Sequence, residues 1–243
     1  MTDHMSDGQD AGAGCGCAAC GVTSRRALTR RAMLAASGGA LLAAAGAGRV
    51  RAQTTLSPDA ALERLMAGNR RYVARQMTSF AADLDALRRG TVKKQEPFAA
   101  VLSCADSRVP VELVFDQAVG HLFVTRIAGN ICTPEIMASL EYGAAVLGTA
   151  AILVLGHEDC GAVKAAIAAK SVPGQISALY APLRPAVERA GPDPAAVIKA
   201  NAQLQADLLR TASPVLAGLV AQRRLRIAAG YYTLGDGRVE MLP

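Results

Sequence analysis

Two apolar runs in this sequence each end on side chains that bind soft metals. The run Phe98-Ala99-Ala100-Val101-Leu102-Ser103 leads into Cys104-Ala105-Asp106-Ser107-Arg108, and Ala151-Ile152-Leu153-Val154-Leu155-Gly156 leads into His157-Glu158-Asp159-Cys160-Gly161. Cys104, His157 and Cys160 make a three-ligand zinc set, one ion per chain, with a fourth position left for water or substrate. Open sites of this kind do catalysis, whereas four-ligand sites usually hold structure. His157 and Cys160 are three residues apart, a bite short enough for one metal where a strand turns into a helix. A helix starting near Cys160 would favour its thiolate through the N-terminal dipole. Zinc lowers the pKa of its water to about 7 and so supplies hydroxide near neutral pH. Two thiolates offset the ion's charge and should make that water less acidic than an all-His site would. Asp106 and Arg108 follow Cys104 closely enough to serve it. The carboxylate can accept the water's hydrogen bond, and the guanidinium can hold the carboxylate by a charge-assisted, bidentate contact. Without that hold Asp106 could swing onto the metal and close the site. The bland alternative for the pair is a surface ion pair, which the neighbouring Cys104 argues against.

The elements that must position these groups follow from the pattern around them. Continuous apolar runs are what parallel strands covered on both faces require. In open α/β sheets functional groups gather beyond the carboxyl ends of strands, and the 53 residues from Cys104 to His157 leave room for two crossovers. Further strands are expected at 121–126 and 225–231, with Asp236-Gly237 turning the chain into 238–242 as a hairpin return on a sheet edge. Ser57-Pro58-Asp59 opens a helix running toward Arg75, with Leu62, Leu65, Met66 and Tyr72 on its apolar face. Residues 76–96 read as loop with a helical piece near 80–87, and 110–116 as a short helix. Thr133-Pro134-Glu135 starts another, with Ile136, Leu140 and Leu147 sharing a face. Helices are also expected at 161–170 and 195–209, the latter with Leu204 and Leu208 on its apolar face. The expected fold is α/β: a mainly parallel sheet flanked by helices, with an N-terminal helical arm.

Composition sets the outer bounds. The chain has 243 residues, 51% of them hydrophobic, which suits one sizeable globular domain. The formal charge is +6, but residues 1–52 hold six of the 26 basic and three of the 20 acidic residues, leaving 20 against 17, a net +3. With 4% aromatics as well, nothing here is a nucleic-acid footprint. Thr29-Arg30-Arg31-Ala32-Met33-Leu34 resembles the twin-arginine export signal and precedes 17 uncharged residues, 32–48, too few and too weakly apolar for a membrane span. Val50-Arg51-Ala52 suits cleavage ahead of Gln53. Residues 1–52 therefore read as leader, residues 53–243 as the catalytic domain, and the location as periplasmic or otherwise exported, with the export machinery as a partner. A retained signal anchor is the competing reading. Cys15, Cys17 and Cys20 have metal-like spacing but sit in the leader, among residues with nothing to fold on. The mature chain keeps Cys104, Cys132 and Cys160, an odd number without the spacing of a disulfide framework. An exported thiol site is consistent with the twin-arginine route, which carries folded proteins, so zinc could occupy the thiols before they meet an oxidising compartment.

Ser-Cys-Ala-Asp-Ser-Arg-Val and Gly-His-Glu-Asp-Cys-Gly resemble the two zinc motifs of the β-class carbonic anhydrases. The likeness runs from about Gln95 to Val163 and resumes at Gly230-Tyr231-Tyr232. It implies Cys104, His157 and Cys160 as zinc ligands and Asp106 with Arg108 as the dyad beside the metal. It places Gln95 on the family's substrate-orienting glutamine, and Phe123, Ala128, Tyr142 and Gly161 at the substrate pocket, built partly by the dimer partner. The activity implied is hydration of carbon dioxide to bicarbonate, the assembly a homodimer or a higher even oligomer. Some members bind regulatory bicarbonate with a tryptophan three residues before the first cysteine. Here Val101 stands there and the chain has no Trp, although Arg126 and Tyr142, the other members of that site, are present. His121 is the other mature histidine, read as an ordinary strand-start residue rather than a proton shuttle. Two alternatives stay open. The same site could hydrolyse carbonyl sulfide or carbon disulfide. A structural zinc module would need a fourth ligand, for which Cys132 is the spare thiol.

Overall fold

The computed structural model describes residues 54–79 and 84–243. The export-signal, cleavage and three-cysteine readings of residues 1–53 lie outside the described residues. Within them, the first helix, α1 (Pro58–Val73), starts as its sequence requires: the Ser57 side chain accepts from Ala60 N and Pro58 takes the first turn. Helix α2 (Leu84–Thr91) takes in 84–87 of the helical piece expected at 80–87, whose first four residues lie outside the described ones. Then come β1 (Ala99–Ser103), α3 (Val111–Val114), β2 (Leu122–Arg126), a 3-10 turn (Ala128–Asn130) and α4 (Pro134–Glu141), which continues into a wide turn, Tyr142–Val146. Next are β3 (Ala151–His157), α5 (Gly161–Ala168), α6 (Tyr180–Ala190), α7 (Pro194–Ala212), α8 (Pro214–Ala221), β4 (Arg226–Tyr232) and β5 (Val239–Leu242). No described helix is long and apolar enough to cross a membrane.

The five strands form one sheet in the order β2-β1-β3-β4-β5, parallel except for β5, which returns antiparallel on β4 as the Asp236-Gly237 turn predicted. Every residue of β1 and β3 is buried, because side chains alternate between two covered faces. Ala99, Val101, Leu153 and Leu155 pack on the face covered by α1 and α3; Ala100, Leu102, Ile152 and Val154 pack on the face covered by α7 and α8. Each fully buried Leu or Val here contributes about 1.5–3 kcal/mol of burial free energy.

Two close approaches set the helices against this sheet. A Cβ at Gly68 of α1 would stand 1.8 Å from the Phe115 carbonyl oxygen, so α1 meets the turn after α3 backbone to backbone. The buried Asn69 beside it donates to Val114 O (3.1 Å) and Gly237 O (2.9 Å) and accepts from Val239 N (2.9 Å). On the other face a Cβ at Gly156 would come within 2.8 Å of Ile198 on α7.

Helix α7 corrects the face assigned to it. Leu208 is 38% exposed and Leu204 only partly buried, while Val197, Ile198, Asn201, Ala202, Gln205, Ala206 and Leu209 are buried. Small alanines allow the helix close to the sheet, and two amides share its inner face. Helices α6, with Pro185 inside it, and α8, capped by the Ser213 hydroxyl accepting from Leu216 N (3.1 Å), were not anticipated.

Candidate metal centre

Adjacent parallel strands deliver the ligand set. Ser103 is in register with Leu155, so Cys104, just past β1, lies beside His157, the last residue of β3. Cys160 is the N-cap residue of α5, reached through Asp159 in left-handed backbone (φ 58). The donor atoms of Cys104, His157 and Cys160 lie within 4.8 Å of one another, and the two sulfurs are 4.0 Å apart. All three residues are buried, at 4%, 0% and 1% exposure. His157 Nδ1 donates to the Glu158 carbonyl (2.8 Å), while the buried Nε2 has no hydrogen-bond partner. A buried nitrogen without a partner is costly, and a metal-binding imidazole normally donates through its other nitrogen in this way. These residues therefore fit zinc: two thiolates and an oriented imidazole. The cluster has three metal-type members among the described residues, and Cys132 is not one of them.

Electrostatics at the thiols follows from their closeness. The Cys160 thiol hydrogen-bonds the Cys104 sulfur and, with smaller contributions from His157 and the Gly129 N–H, brings the Cys104 pKa down to about 4 against burial. Cys160 keeps the shared proton and is pushed up. Burial is the largest influence on His157 and opposes its charge, but the Cys104 thiolate, the Glu158 carbonyl and the Asp106 carboxylate together outweigh it and raise the imidazole.

Asp106 and Arg108 form the two-pronged pair expected. Arg108 Nε donates to Asp106 Oδ1 (3.0 Å) and Nη2 to Oδ2 (2.9 Å), and the Arg108 backbone N–H adds a bond to Oδ1 (2.9 Å). The guanidinium holds the Asp106 carboxyl well below the usual carboxylate range. Asp106 Oδ2 lies 3.9 Å from His157 Nε2, against the ligand cluster. Arg108 also reaches Asp159, at Oδ2 (3.4 Å) and at its carbonyl (3.3 Å). Asp159 pairs with Lys164 in turn. One arginine thus ties the loop after β1 to the loop after β3.

Arg126, considered above for a regulatory anion, is engaged elsewhere. Its Nε donates to the Cys104 carbonyl (2.9 Å) and its Nη2 to that of Asp106 (2.5 Å). Val101 is fully buried in the core. The place of Arg126 at the end of β2, beside the end of β1, was the signal that could have marked it as a brace for the metal loop. The Gly129 N–H, which donates to Cys104 Sγ (3.3 Å), left no such signal in its side chain.

The remaining expected site residues fall in two places. Gly161 begins α5 beside Cys160, with open space where a Cβ would stand, and Ala128 directly precedes Gly129. The rings of Phe123 and Tyr142 are 6.2 Å apart, and Tyr142 joins Gln95, Val146 and Leu147 around a surface pocket whose lining includes none of the three candidate ligands. His121 sits at the opposite end of the sheet, at the start of β2, accepting from Arg64 (3.4 Å). Burial, then Arg64, holds it below its ordinary value. Cys132 is buried, and burial followed by Glu141 pushes its thiol up to about 11.

Residues 99–239 match a family model described as carbonic anhydrase. The chain is 41% identical over 136 residues to carbonic anhydrase 2 of Mycobacterium tuberculosis, an alignment covering 56% of this chain and 64% of that one. It is 34% identical over 197 residues to the carbonic anhydrase of Mycolicibacterium smegmatis, covering 76% and 93%. The chain thus spans just under two thirds of the first relative and nearly all of the second. Among solved structures, the Coccomyxa β-carbonic anhydrase in complex with acetazolamide superposes with a TM-score of 0.59 at 28% identity, over 74% of this chain and 86% of that one. A tetrameric β-carbonic anhydrase of Sordaria macrospora gives 0.60 at 22%, over 74% and 96%, a likeness of fold.

Proposed function

This chain belongs to the carbonic anhydrase family, and from that premise we propose that it hydrates carbon dioxide reversibly to bicarbonate, with one zinc ion held by Cys104, His157 and Cys160. The observation that carries the reading is the buried triad with its unpartnered His157 Nε2, set against a carboxylate that Arg108 holds by both oxygens. Zinc bound there would supply hydroxide near neutral pH. Asp106, kept ionised by Arg108, accepts a hydrogen bond from the reacting water at Oδ2 and turns its lone pair toward carbon dioxide. Arg108 keeps that carboxylate from moving into the ligand set. The ion-pair chain Arg108–Asp159–Lys164 ties the two loops together during turnover.

The working unit in this reading is a homodimer. β2 lies at one edge of the sheet, and near it Val92, Tyr142 and Val146 expose apolar surface at 79%, 46% and 53%. An open strand edge beside exposed apolar side chains is what a second copy would cover. Gln95, Phe123 and Tyr142 would then serve the partner's metal centre. The Thr29–Leu34 motif makes export by the twin-arginine route, with cleavage ahead of Gln53, part of the same proposal.

The test is carbon dioxide hydration by the zinc-loaded protein from Gln53 onward, with carbonyl sulfide hydrolysis measured in parallel. We expect one zinc per chain by elemental analysis and hydration as the faster reaction. Cys104→Ser and His157→Ala should each lose both metal and activity. Full zinc content in either variant would remove that residue from the ligand set.

A further inference from the structure

The loop after β2 is held from behind by two buried amides, and the hold ends on a candidate metal ligand. Asn201 and Gln205 lie one turn apart on the inner face of α7, at 0% and 4% exposure. Burying such groups is costly unless each is hydrogen-bonded. Here Gln205 Nε2 donates to Asn201 Oδ1 (3.1 Å) and Asn201 Nδ2 donates to the Gly129 carbonyl (2.9 Å). Gln205 Oε1 accepts from the Cys132 N–H (2.8 Å). The two amides thus grip residues 129–132 at both ends.

The gripped backbone is one that does not keep its shape unaided. Gly129 (φ 76) and Asn130 (φ 42) are consecutive left-handed residues. Such conformations persist where the surroundings over-determine them. The outcome of the turn is the Gly129 N–H aimed at Cys104 Sγ, 3.3 Å away. A Cβ at Gly129 would press on Leu183 Cδ1 at 3.3 Å, so the loop packs against α6 as well.

We propose that Asn201 and Gln205 are positioning residues for the metal: by fixing Gly129 they keep an N–H on the Cys104 sulfur and preset that thiolate for zinc. The inference rests on Cys104 being a ligand, as proposed above. An N–H···S bond orients the sulfur and withdraws electron density from it, and outer groups of this kind typically change metal affinity 10–100-fold. Asn201→Leu keeps the branched shape of the side chain but leaves the Gly129 carbonyl without its donor. Asn69→Leu, on the opposite face of the sheet, removes an equally buried amide that bonds Val114, Gly237 and Val239 instead.

The experiment compares wild type, Asn201→Leu, Gln205→Met and Asn69→Leu by zinc competition against a chromophoric chelator, by the thiolate-to-cobalt absorption band after Co2+ substitution, and by thermal unfolding. Asn201→Leu should lose about tenfold in zinc affinity and move the band to longer wavelength, since the sulfur regains electron density. Gln205→Met should do both to a smaller degree. Asn69→Leu should lower the unfolding temperature and move neither. The proposal is overturned if Asn201→Leu binds zinc like wild type with an unmoved band, or if Asn69→Leu shifts both as far. Should Asn201→Leu not fold, Gln205→Met decides by the same two readouts. A wild-type chain that takes up no zinc would reject the metal reading itself, and this inference with it.

Discussion

At the scale of single residues, the proposed chemistry rests on one oxygen, Asp106 Oδ2, and on what keeps it from the candidate ligand cluster beside it. Asp106→Asn preserves size and removes the charge that draws a proton from water. It should keep zinc and lose about 100-fold or more in kcat, the range usual for a positioned acid–base group. Arg108→Ala frees the carboxylate to enter the ligand set. Its deficit should be largest at low pH, where hydroxide, the competitor for that position, is scarcest, and should shrink as pH rises. The two residues share one task, so the double variant should lose less than the product of the single losses. Strictly multiplicative losses in hydration rates across pH would show that the pair does not act as a unit. Most of this constellation was legible in the sequence because it is local: Cys104, Asp106 and Arg108 span five residues, and His157 and Cys160 span four. Arg126, Asp159 and the Gly129 N–H were not, because each acts through backbone atoms or across two loops.

At the scale of elements, helix α1 offers a test of backbone packing against propensity. Gly→Ala inside a helix ordinarily stabilises by about 1 kcal/mol. At Gly68 the new Cβ would stand 1.8 Å from the Phe115 carbonyl oxygen. Backbone cannot rotate away as a side chain can, so Gly68→Ala should destabilise by about 3 kcal/mol, read from urea unfolding; a gain in stability would mean that α1 stands off from that turn. Asp116 ties the same helix to the loop after it. Its buried carboxylate accepts from Arg71 (2.6 Å), Thr78 (3.0 Å) and Ser79 (2.8 Å). Burial favours the neutral acid, but these bonds, Ser79 first, outweigh it and hold the group well below its ordinary value. A depressed carboxylate contributes stability above its unfolded pKa of about 3.9, and that contribution is lost as pH falls through the folded value. Asp116→Asn should therefore lower stability at pH 7 and flatten the acid limb below about pH 4. An acid limb as steep as wild type would assign acid unfolding to other carboxylates. Strand positions and capped helices such as α1 could be read ahead of the structure, since apolar runs and Ser-Pro-Asp act locally. Helix α6 could not, because Pro182 and Pro185 argue against a helix from sequence alone. The inner face of α7 was misread because apolar patterning equates buried with hydrophobic, and Asn201 and Gln205 are buried by pairing with backbone instead.

At the scale of the whole molecule, the expected site residues divide within one chain. The candidate ligands and the Asp106–Arg108 pair gather past β1 and β3, while Gln95 and Tyr142 line a pocket that contains none of those candidates. In the proposed homodimer that division is bridged across the two-fold axis. Charged replacement of Val146, 53% exposed beside Tyr142, should then yield folded monomers by light scattering, with little activity; a fully active monomer would contradict the shared site. The division also gives the protein a genetics of its own. Cys104→Ser and Gln95→Ala chains would each be defective when paired with themselves. In a mixed dimer, one chain contributes an intact ligand set and the other an intact glutamine, and together they restore one of the two sites. Random re-pairing of equal amounts should recover about a quarter of wild-type activity. Two alleles, each failing alone, would complement each other, and a Gln95→Ala copy would impose its defect on its partner's centre while its own stayed chemically whole.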